Sequence, residues 1–276
     1  MRILIIGGTR FIGAALVRRL HTAGHTLAVL NRGKSPVAPP DGVERLIGDR
    51  DDLEASAGAI RGFAPDVVVH NVVLEARHVR DLQAVVRGVA DRLLMVSSVD
   101  VYQAYGRLIG IEEGPILPTP LTEDSPVRTV LHPYRAQAEN EDDMRWSYDK
   151  IPAEEAALAD ADLPGTVMRL PMVIGAGDYQ HRLFPLWKPM VDGRPAIVMA
   201  ASYAAWRDAL GYVENVVDAI ATAATDPRAA GRTYNVADVN LTAEALANHV
   251  GQAMSWPGTL DVRPDKELPE ALQPQF

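Results

Sequence analysis

The chain has 276 residues, a formal net charge of −9 and no cysteine. This length allows one large domain, or one domain with a smaller lobe, to bury a sizeable core. The absence of cysteine excludes disulfides, thiol catalysis and thiolate metal sites. The negative net charge argues against bulk attraction to nucleic acid or to an anionic membrane, so we expect neither as a partner.

Strand and helix patterns alternate along the first part of the chain. Short apolar runs predict strands at Arg2–Ile6, Thr26–Asn31, Val43–Gly48, Val67–Asn71 and Arg92–Ser97. Apolar residues at helical spacing predict helices over Phe11–Ala23, Asp52–Gly62 and Glu75–Arg87. The strands are continuously apolar, which is typical of strands that helices cover on both faces. We therefore predict an α/β fold of the Rossmann type, with a doubly wound parallel sheet.

The alternation ends after residue 102. Residues 103–148 are predicted to form a Pro-rich inserted loop, and residues 172–206 to be irregular. Strand and helix patterns return at 151–161, 165–171, 213–224, 233–236, 243–254 and 259–262. We predict a dinucleotide-binding domain over residues 1–171 and a small C-terminal substrate lobe over residues 172–276, from which residues 207–240 return to the Rossmann core.

A glycine motif lies between the first strand and the first helix, in the stretch Gly7-Gly8-Thr9-Arg10-Phe11-Ile12-Gly13. Strand, glycine turn and helix in this order are the context of a dinucleotide-binding site. Gly7 permits a tight turn, Gly13 lets the helix pack close to the strand, and the N–H groups at the helix start can bind a pyrophosphate. We predict that the cofactor contacts Gly7, Thr9, Arg10, Phe11, Ile12 and Gly13.

The end of the second strand predicts which dinucleotide is bound. An acidic residue at this position usually binds the adenosine ribose hydroxyls and selects NAD. The strand instead ends in Asn31, which we include in the cofactor site, and Arg32 and Lys34 follow it. Arginine can grip a 2′-phosphate with its planar fork, and Arg10 lies in the same neighbourhood. We expect NADP as the cofactor; NAD is the alternative, with Arg32 and Lys34 on a solvated loop.

Further motifs follow in order at 48–51, 96–102, 121–134, 169–178, 212–216 and 234–236. Together with the glycine motif they resemble the extended (atypical) short-chain dehydrogenase/reductase family, the NAD-dependent epimerases and dehydratases. The resemblance implies that Asp49 contacts the adenine with Arg50 beside it, that the cofactor passes over Asn71, and that Ser98 hydrogen-bonds the reacting oxygen. A helix cap at Asp49 and a structural turn at Asn71 are the alternatives.

The resemblance also implies a catalytic tyrosine whose pKa is lowered by a lysine four residues later. Tyr134 lies where the motif has its tyrosine, but Ala138 stands four residues on. Lys150 comes later, two residues after Tyr148. Three interpretations stay open: Tyr148 acts with Lys150, Tyr134 folds back over residues 135–147 to meet Lys150, or neither tyrosine acts and the triad is degenerate.

Two aspartates near these groups are interpreted as structural. Asp100 lies two residues past Ser98, where some sugar dehydratases of the family carry an acid and a base, but Val99 replaces one of that pair. Asp149 is a good N-cap, and Pro152 is tolerated only in the first turn of a helix, so a helix is predicted to start near Asp149.

Two functions are weighed on these observations. The first is an NAD(P)-dependent epimerase, dehydratase or reductase that acts on a sugar nucleotide or a smaller hydroxylated substrate, with Ser98, Lys150 and Tyr134 or Tyr148 as catalytic residues. The second is a catalytically degenerate dinucleotide-binding protein, a sensor, scaffold or RNA-associated protein, because the glycine motif also resembles plant chloroplast stem-loop-binding proteins.

The remaining expectations concern metals, assembly and location. The histidines show no metal-ligand spacing, so no metal site is predicted. The resemblance implies a possible homodimer. No apolar run reaches membrane-spanning length, and a strand predicted from residue 2 leaves no room for a signal peptide, so we expect a cytoplasmic protein.

Overall fold

The computed structural model describes residues 1–35, 37–115 and 117–272. In chain order, its strands are β1 Arg2–Ile6, β2 Thr26–Asn31, β3 Glu44–Ile47, β4 Val67–His70, β5 Arg92–Ser98, β6 Gly165–Leu170, β7 Met172–Ile174, β8 Ala196–Ala200, β9 Arg207–Tyr212, β10 Thr233–Asn235, β11 Val239–Thr242 and β12 Thr259–Arg263. Its α-helices are α1 Phe11–Thr22, α2 Ala57–Phe63, α3 Ala76–Val86, α4 Gln103–Leu108, α5 Met144–Ser147, α6 Ile151–Leu158, α7 Phe184–Val191, α8 Ala201–Ala205, α9 Val213–Thr225 and α10 Ala243–Ala253.

The first of two compact units comprises Met1–Leu170 and Val213–Val236. Its seven strands form a parallel sheet with the order β10-β6-β5-β4-β1-β2-β3. The central strands β1, β4 and β5 are buried along nearly their whole length, as their continuous apolar runs predict. α1 packs with α9, and α3 packs with α2 and α6. The predicted doubly wound α/β fold is confirmed. Sheets of this kind bind ligands at the carboxyl ends of the strands where the strand order changes direction, which here are β1 and β4.

The second unit comprises Pro171–Tyr212 and the described part of the chain from Ala237 onward. It has a three-stranded sheet, β11-β9-β7, and a parallel pair of β12 and β8. The side chain of Thr242 accepts the N–H of Ala245 (3.1 Å) and so caps α10. No described helix is long and apolar enough to span a membrane.

Three segments differ from the sequence prediction. The segment that returns to the first unit is Val213–Val236 rather than 207–240, because β9 and β11 pair with each other in the second unit. Residues 103–148 are not entirely loop, since α4 and α5 lie within them. Residues 172–206 contain β7, α7, β8 and α8, whose short lengths hide their periodicity.

Candidate active site

The glycine motif forms the turn between β1 and α1. Gly7 has a φ of +86°, in the left-handed region that favours glycine. A Cβ at Gly13 would overlap the carbonyl oxygen of Gly7, and the same oxygen accepts a hydrogen bond from Asn71 Nδ2 (3.3 Å). The turn, the helix and the end of β4 are therefore in direct contact, which brings Gly7, Gly13 and Asn71 together at the carboxyl edge of the sheet.

The start of α1 is not capped by a side chain. Arg10 occupies the N-cap position with an extended backbone and makes no side-chain cap hydrogen bond, and the first turn carries no acidic residue. Phe11 is buried and has a φ of +41°, a conformation that non-glycine residues rarely adopt. The Arg10 side chain is exposed, and Thr9 and Ile12 are half-buried. An uncapped helix start beside a cation is suited to binding a phosphate group.

Several positively charged side chains lie near the carboxyl end of β2. Arg32 and Lys34 have exposed side chains. Asn31 Oδ1 accepts the N–H of Gly33 (2.8 Å) and a hydrogen bond from Arg45 Nη2 (3.4 Å). Sequence reasoning missed Arg45, because only the parallel register of β2 with β3 brings it to this end of the sheet.

The residues predicted to contact the adenine form hydrogen bonds to backbone groups of the protein. Asp49 Oδ1 accepts the N–H of Asp51 (3.2 Å), which makes a local turn. Arg50 Nη1 donates to the carbonyl oxygen of Val72 (2.9 Å), so its side chain reaches from the end of β3 to the loop after β4. Both side chains are half-buried. Adenine contact at Asp49 and Arg50 stays a prediction.

Asp100 lies at the centre of a group of hydroxyls beyond the end of β5. The hydroxyls of Tyr148 (2.7 Å) and Tyr134 (3.1 Å) both donate to its Oδ2. The N–H of Asp100 donates to Ser98 Oγ (3.2 Å). The two tyrosines that the sequence offered as alternatives thus meet at one carboxylate. The interpretation of Asp100 as structural did not anticipate this contact, although its place two residues after Ser98 was the available signal.

Both phenols are held in the protonated form. Burial is the larger cause and the charge of Asp100 the next, and together they raise the pKa of Tyr134 and of Tyr148 well above the ordinary value of a phenol. This direction is opposite to the one that the resemblance implies for a tyrosine next to a lysine. The two rings lie against each other, with 5.2 Å between their centroids.

Lys150 is buried immediately before α6. Its Nζ donates to the carbonyl oxygens of Val73 (2.9 Å) and Val96 (3.0 Å), and it lies 5.9 Å from the centroid of the Tyr148 ring. Burial lowers the pKa of Lys150 to about 8, although the carboxylates of Asp100 and Glu154 act in the opposite direction. The lysine therefore lies beside Tyr148, between the loop after β4 and the strand β5.

The start of α6 differs slightly from the prediction. The helix begins at Ile151 with Lys150 in the N-cap position, two residues after the predicted start near Asp149. Asp149 still serves the helix, because its Oδ1 accepts the N–H of Ile151 (3.0 Å). It also pairs with Arg128 Nη2 (3.3 Å). Pro152 lies in the first turn, where its missing N–H is harmless.

A buried ionic network fixes α6 against the sheet. Glu154 accepts hydrogen bonds from Ser97 Oγ and from Arg169 Nη2 (2.7 Å), and all three side chains are buried. Ser97 lies on β5 and Arg169 on β6. The network holds the helix that follows Lys150 against the strand that ends in Ser98.

One cluster in the described residues has the composition of a metal site. Atoms of Asp51, Glu75 and His78 lie within 4.8 Å of one another. His78 Nδ1 accepts the N–H of Leu74 (3.1 Å), so the ring proton is on Nε2, which faces Asp51 Oδ1 (2.7 Å). Arg77 Nη2 contacts both carboxylates, at 3.0 Å and 3.4 Å. The cluster is thus satisfied as an ion-pair network without a metal.

The comparison with known families settles the resemblance seen in the motifs. The family model described as the NAD dependent epimerase/dehydratase family matches residues 3–237. The chain belongs to this family. Membership confirms the relationship read from the sequence and supports an NAD(P)-binding epimerase- or reductase-like protein; it does not favour the degenerate alternative.

Relatives and solved structures agree with this membership. The chain is 28% identical over 246 residues to the 2′-dehydrokanamycin reductase of Streptomyces kanamyceticus, across 86% of this chain and 62% of the relative, so it spans less than two thirds of that protein. It is 26% identical to the 3-diazoavenalumate denitrifying reductase of a Streptomyces species, across 100% of this chain and 87% of the relative. The Bordetella bronchiseptica enzyme WbmG, solved in complex with NAD, has the same fold, with a TM-score of 0.73 and 18% identity over 96% of this chain and 81% of that one.

The nicotinamide dinucleotide of the family fits the carboxyl edge of the sheet. A Cβ at Gly7 would lie 2.9 Å from Val72 Cγ2, so only glycine leaves the backbone of the turn open to close approach. The turn and the start of α1 would hold the pyrophosphate, and the residues after β2 would hold the adenosine ribose. When bound, this group supplies the carbon that accepts or donates a hydride.

Proposed function

We propose that the protein is an NADP-dependent oxidoreductase that interconverts a hydroxyl and a carbonyl group of a small molecule. The observation that carries this proposal is that Ser98 and Tyr148 both hydrogen-bond Asp100, beyond the carboxyl end of β5, while Lys150 Nζ lies 5.9 Å from the centroid of the Tyr148 ring. All of these residues lie in the unit that contains the glycine turn. Ligands of doubly wound sheets bind at this end of the strands.

Each of the three side chains can donate or accept a hydrogen bond that suits this reaction. Ser98 Oγ accepts the N–H of Asp100, which leaves the hydroxyl proton of the serine for the reacting oxygen. Tyr148 is the hydroxyl that exchanges a proton with that oxygen, and Tyr134 holds Asp100 from another direction. Lys150 uses two of its three N–H donors on backbone carbonyls and keeps one for a ligand.

Two relatives support the substrate class. Both Streptomyces proteins are reductases by name, and one is named for a dehydrokanamycin. We therefore propose that the reaction is the reduction of a carbonyl group, with a small hydroxylated molecule as the preferred substrate class and a sugar nucleotide as the second. Oxidation of NADPH, followed by absorbance with a panel of ketosugars and UDP-sugars, tests the reaction; no turnover with any carbonyl, at intact NADPH binding, would contradict it.

The preference for NADP rests on the cations after β2. Arg10, Arg32 and Lys34 support it, and Arg45 adds a further positive charge beside Asn31. A hydrogen bond from a cation to a charged group contributes about 1.5–3 kcal/mol. The double variant Arg32→Ala/Lys34→Ala should therefore weaken NADPH binding by about 100-fold and leave NADH binding nearly unchanged.

Fluorescence titration with both reduced dinucleotides measures these affinities. Lys266→Ala, which removes an exposed cation of the second unit, is the matched control. Equal or tighter binding of NADH by the unmodified protein would contradict the NADP preference. The homodimer, the cytoplasmic location and the lack of nucleic-acid binding stay predictions from the sequence.

A further inference from the structure

Two phenols share one carboxylate in this site. Tyr148 and Tyr134 both donate to Asp100 Oδ2, at 2.7 Å and 3.1 Å. Asp100 is 6% exposed, and no donor among the described residues reaches its Oδ1. We propose that Asp100 is the proton-holding residue of the site: it acts through Tyr148, which passes the substrate proton to the carboxylate and remains a neutral phenol throughout. This inference rests on the proposed oxidoreductase function and adds the group that stores the proton.

The direction of the hydrogen bonds supports this path. Each phenol has one proton, and an anionic carboxylate is its strongest acceptor. The hydroxyl of Tyr134 lies 3.1 Å from Asp100 Oδ2 and 3.1 Å from the hydroxyl of Tyr105. Among the described residues, the hydroxyl of Tyr148 has Asp100 as its hydrogen-bond partner. Its oxygen lone pairs therefore remain for a substrate hydroxyl.

A tyrosinate is disfavoured as the base. An ionised Tyr148 would place a second negative charge 2.7 Å from a buried carboxylate. Burial and then the charge of Asp100 raise the pKa of Tyr148. The ammonium of Lys150 lies 5.9 Å from the centroid of the Tyr148 ring and donates to two backbone carbonyls. A phenol that gives one proton as it takes another avoids ionisation altogether.

Two cations and two phenols lie around Asp100. The ammonium of Lys150 interacts electrostatically with the Asp100 carboxylate, and the guanidinium of Arg128 donates from Nε to the backbone carbonyl of Asp100 (2.6 Å). The phenols of Tyr134 and Tyr148 are its hydroxyl partners, and the phenol of Tyr105 contacts that of Tyr134. A buried carboxyl group with one oxygen that no described donor reaches has the acceptor capacity to take a proton.

The proposed step balances in both directions. In alcohol oxidation, the substrate hydroxyl gives its proton to Tyr148 Oη while the Tyr148 proton moves to Asp100 Oδ2, and the substrate carbon gives a hydride to bound NADP⁺. The O–H and C–H bonds of the alcohol break, a C=O bond forms, the alcohol is oxidised and NADP⁺ is reduced. In carbonyl reduction the steps run in reverse from a protonated Asp100, which has first taken a proton from water. The Asp100 proton moves to Tyr148 Oη while the Tyr148 proton moves to the carbonyl oxygen, NADPH gives a hydride to the carbonyl carbon, and the C=O bond becomes an alcohol as NADPH is oxidised.

Ultraviolet titration of the phenols tests this arrangement without any substrate. The chain has eight tyrosines. In Asp100→Asn, we expect the midpoints of two phenols to fall by about 1–3 pH units relative to the unmodified protein, because the adjacent negative charge is gone while burial, the larger cause of their raised pKa, remains. Adding Tyr134→Phe or Tyr148→Phe to Asp100→Asn should each remove one of these two signals. Asp162→Asn, at an exposed position, is the control and should titrate like the unmodified protein.

Two results would overturn the inference. One is an Asp100→Asn titration identical to that of the unmodified protein. The other, which does not require Asp100→Asn to fold, is a phenolate signal at or below the ordinary phenol pKa in the unmodified protein that disappears in Tyr148→Phe. Once a carbonyl substrate that the protein reduces is identified, Asp100→Asn should lower kcat by about 100-fold or more and leave the NADPH dissociation constant unchanged. Failure of every carbonyl would contradict the proposed function, whereas the phenol titration needs no substrate and reports separately whether Asp100 is coupled to Tyr134 and Tyr148.

Discussion

Replacing the buried ammonium of Lys150 with an uncharged side chain of similar length has a consequence that depends on pH. In Lys150→Met, the hydrogen bonds to the carbonyls of Val73 and Val96 are lost at every pH. The unfavourable burial of a positive charge, by contrast, is removed only where the lysine is protonated. The difference in stability between the two proteins should therefore change with pH.

The size of this change follows from the pKa of Lys150. Burial lowers that pKa from 10.5 to about 8, a difference that corresponds to about 3.4 kcal/mol against the charged form. The unfolded chain binds the proton more tightly than the folded protein, so stability rises as the pH rises from about 8 to about 10.5. Linkage gives a gain of about 2.5 kcal/mol for the unmodified protein, relative to Lys150→Met, between about pH 7 and about pH 10.

Urea unfolding of both proteins over this pH range measures the difference in the free energy of unfolding. Titrations that the two proteins share, including those of the tyrosines, cancel in that difference. Lys266→Met, at an exposed position, should show no such dependence. A difference that stays constant, or that moves against the unmodified protein as the pH rises, would refute the reasoning that a buried ammonium strains the folded state.

Two further substitutions test the turn and the ionic network. Gly13→Ala should abolish NADPH binding and lower the free energy of unfolding by about 3 kcal/mol, because its methyl group would overlap a backbone carbonyl across the turn. Gly58→Ala, at a position with open space around it, is the control. An unchanged affinity of Gly13→Ala for NADPH would contradict the expectation. Glu154→Gln should lower the free energy of unfolding by about 3–5 kcal/mol, because Arg169 would keep a buried charge without its partner. Urea unfolding beside the exposed Glu155→Gln checks this, and a loss no larger than that of the control would argue against it.

Much of the first unit could be predicted because each element carries its own signal. The bounds of β1 and β2 agree with the predicted strands, since both are continuous apolar runs that end at a turn residue. α1 begins at Phe11 as predicted, within the glycine motif. The second unit could not be predicted in the same way, because α7 and α8 are short and α7 contains Pro185 and Pro189, which interrupt the helical pattern.

The candidate site, too, was predictable only in part. The sequence named Ser98, Tyr134, Tyr148 and Lys150, but it could not say which tyrosine approaches which partner. The spacing of a tyrosine and a lysine is informative only when both lie on one helix. Here Lys150 occupies the N-cap of α6 and Tyr148 precedes it, so helical spacing does not apply.

By itself, the sequence determined the doubly wound sheet and the glycine turn, because both depend on residue types within a few positions of each other. Only the tertiary structure decided that Tyr134 and Tyr148, which are 34 and 48 residues from Asp100, converge on its carboxylate. That convergence depends on the path of the chain between α4 and α6 relative to the end of β5, which no local pattern encodes. It also sets the phenol pKa values in the direction opposite to that implied by the motif, because burial beside a negative charge outweighs a lysine that is bonded to the backbone.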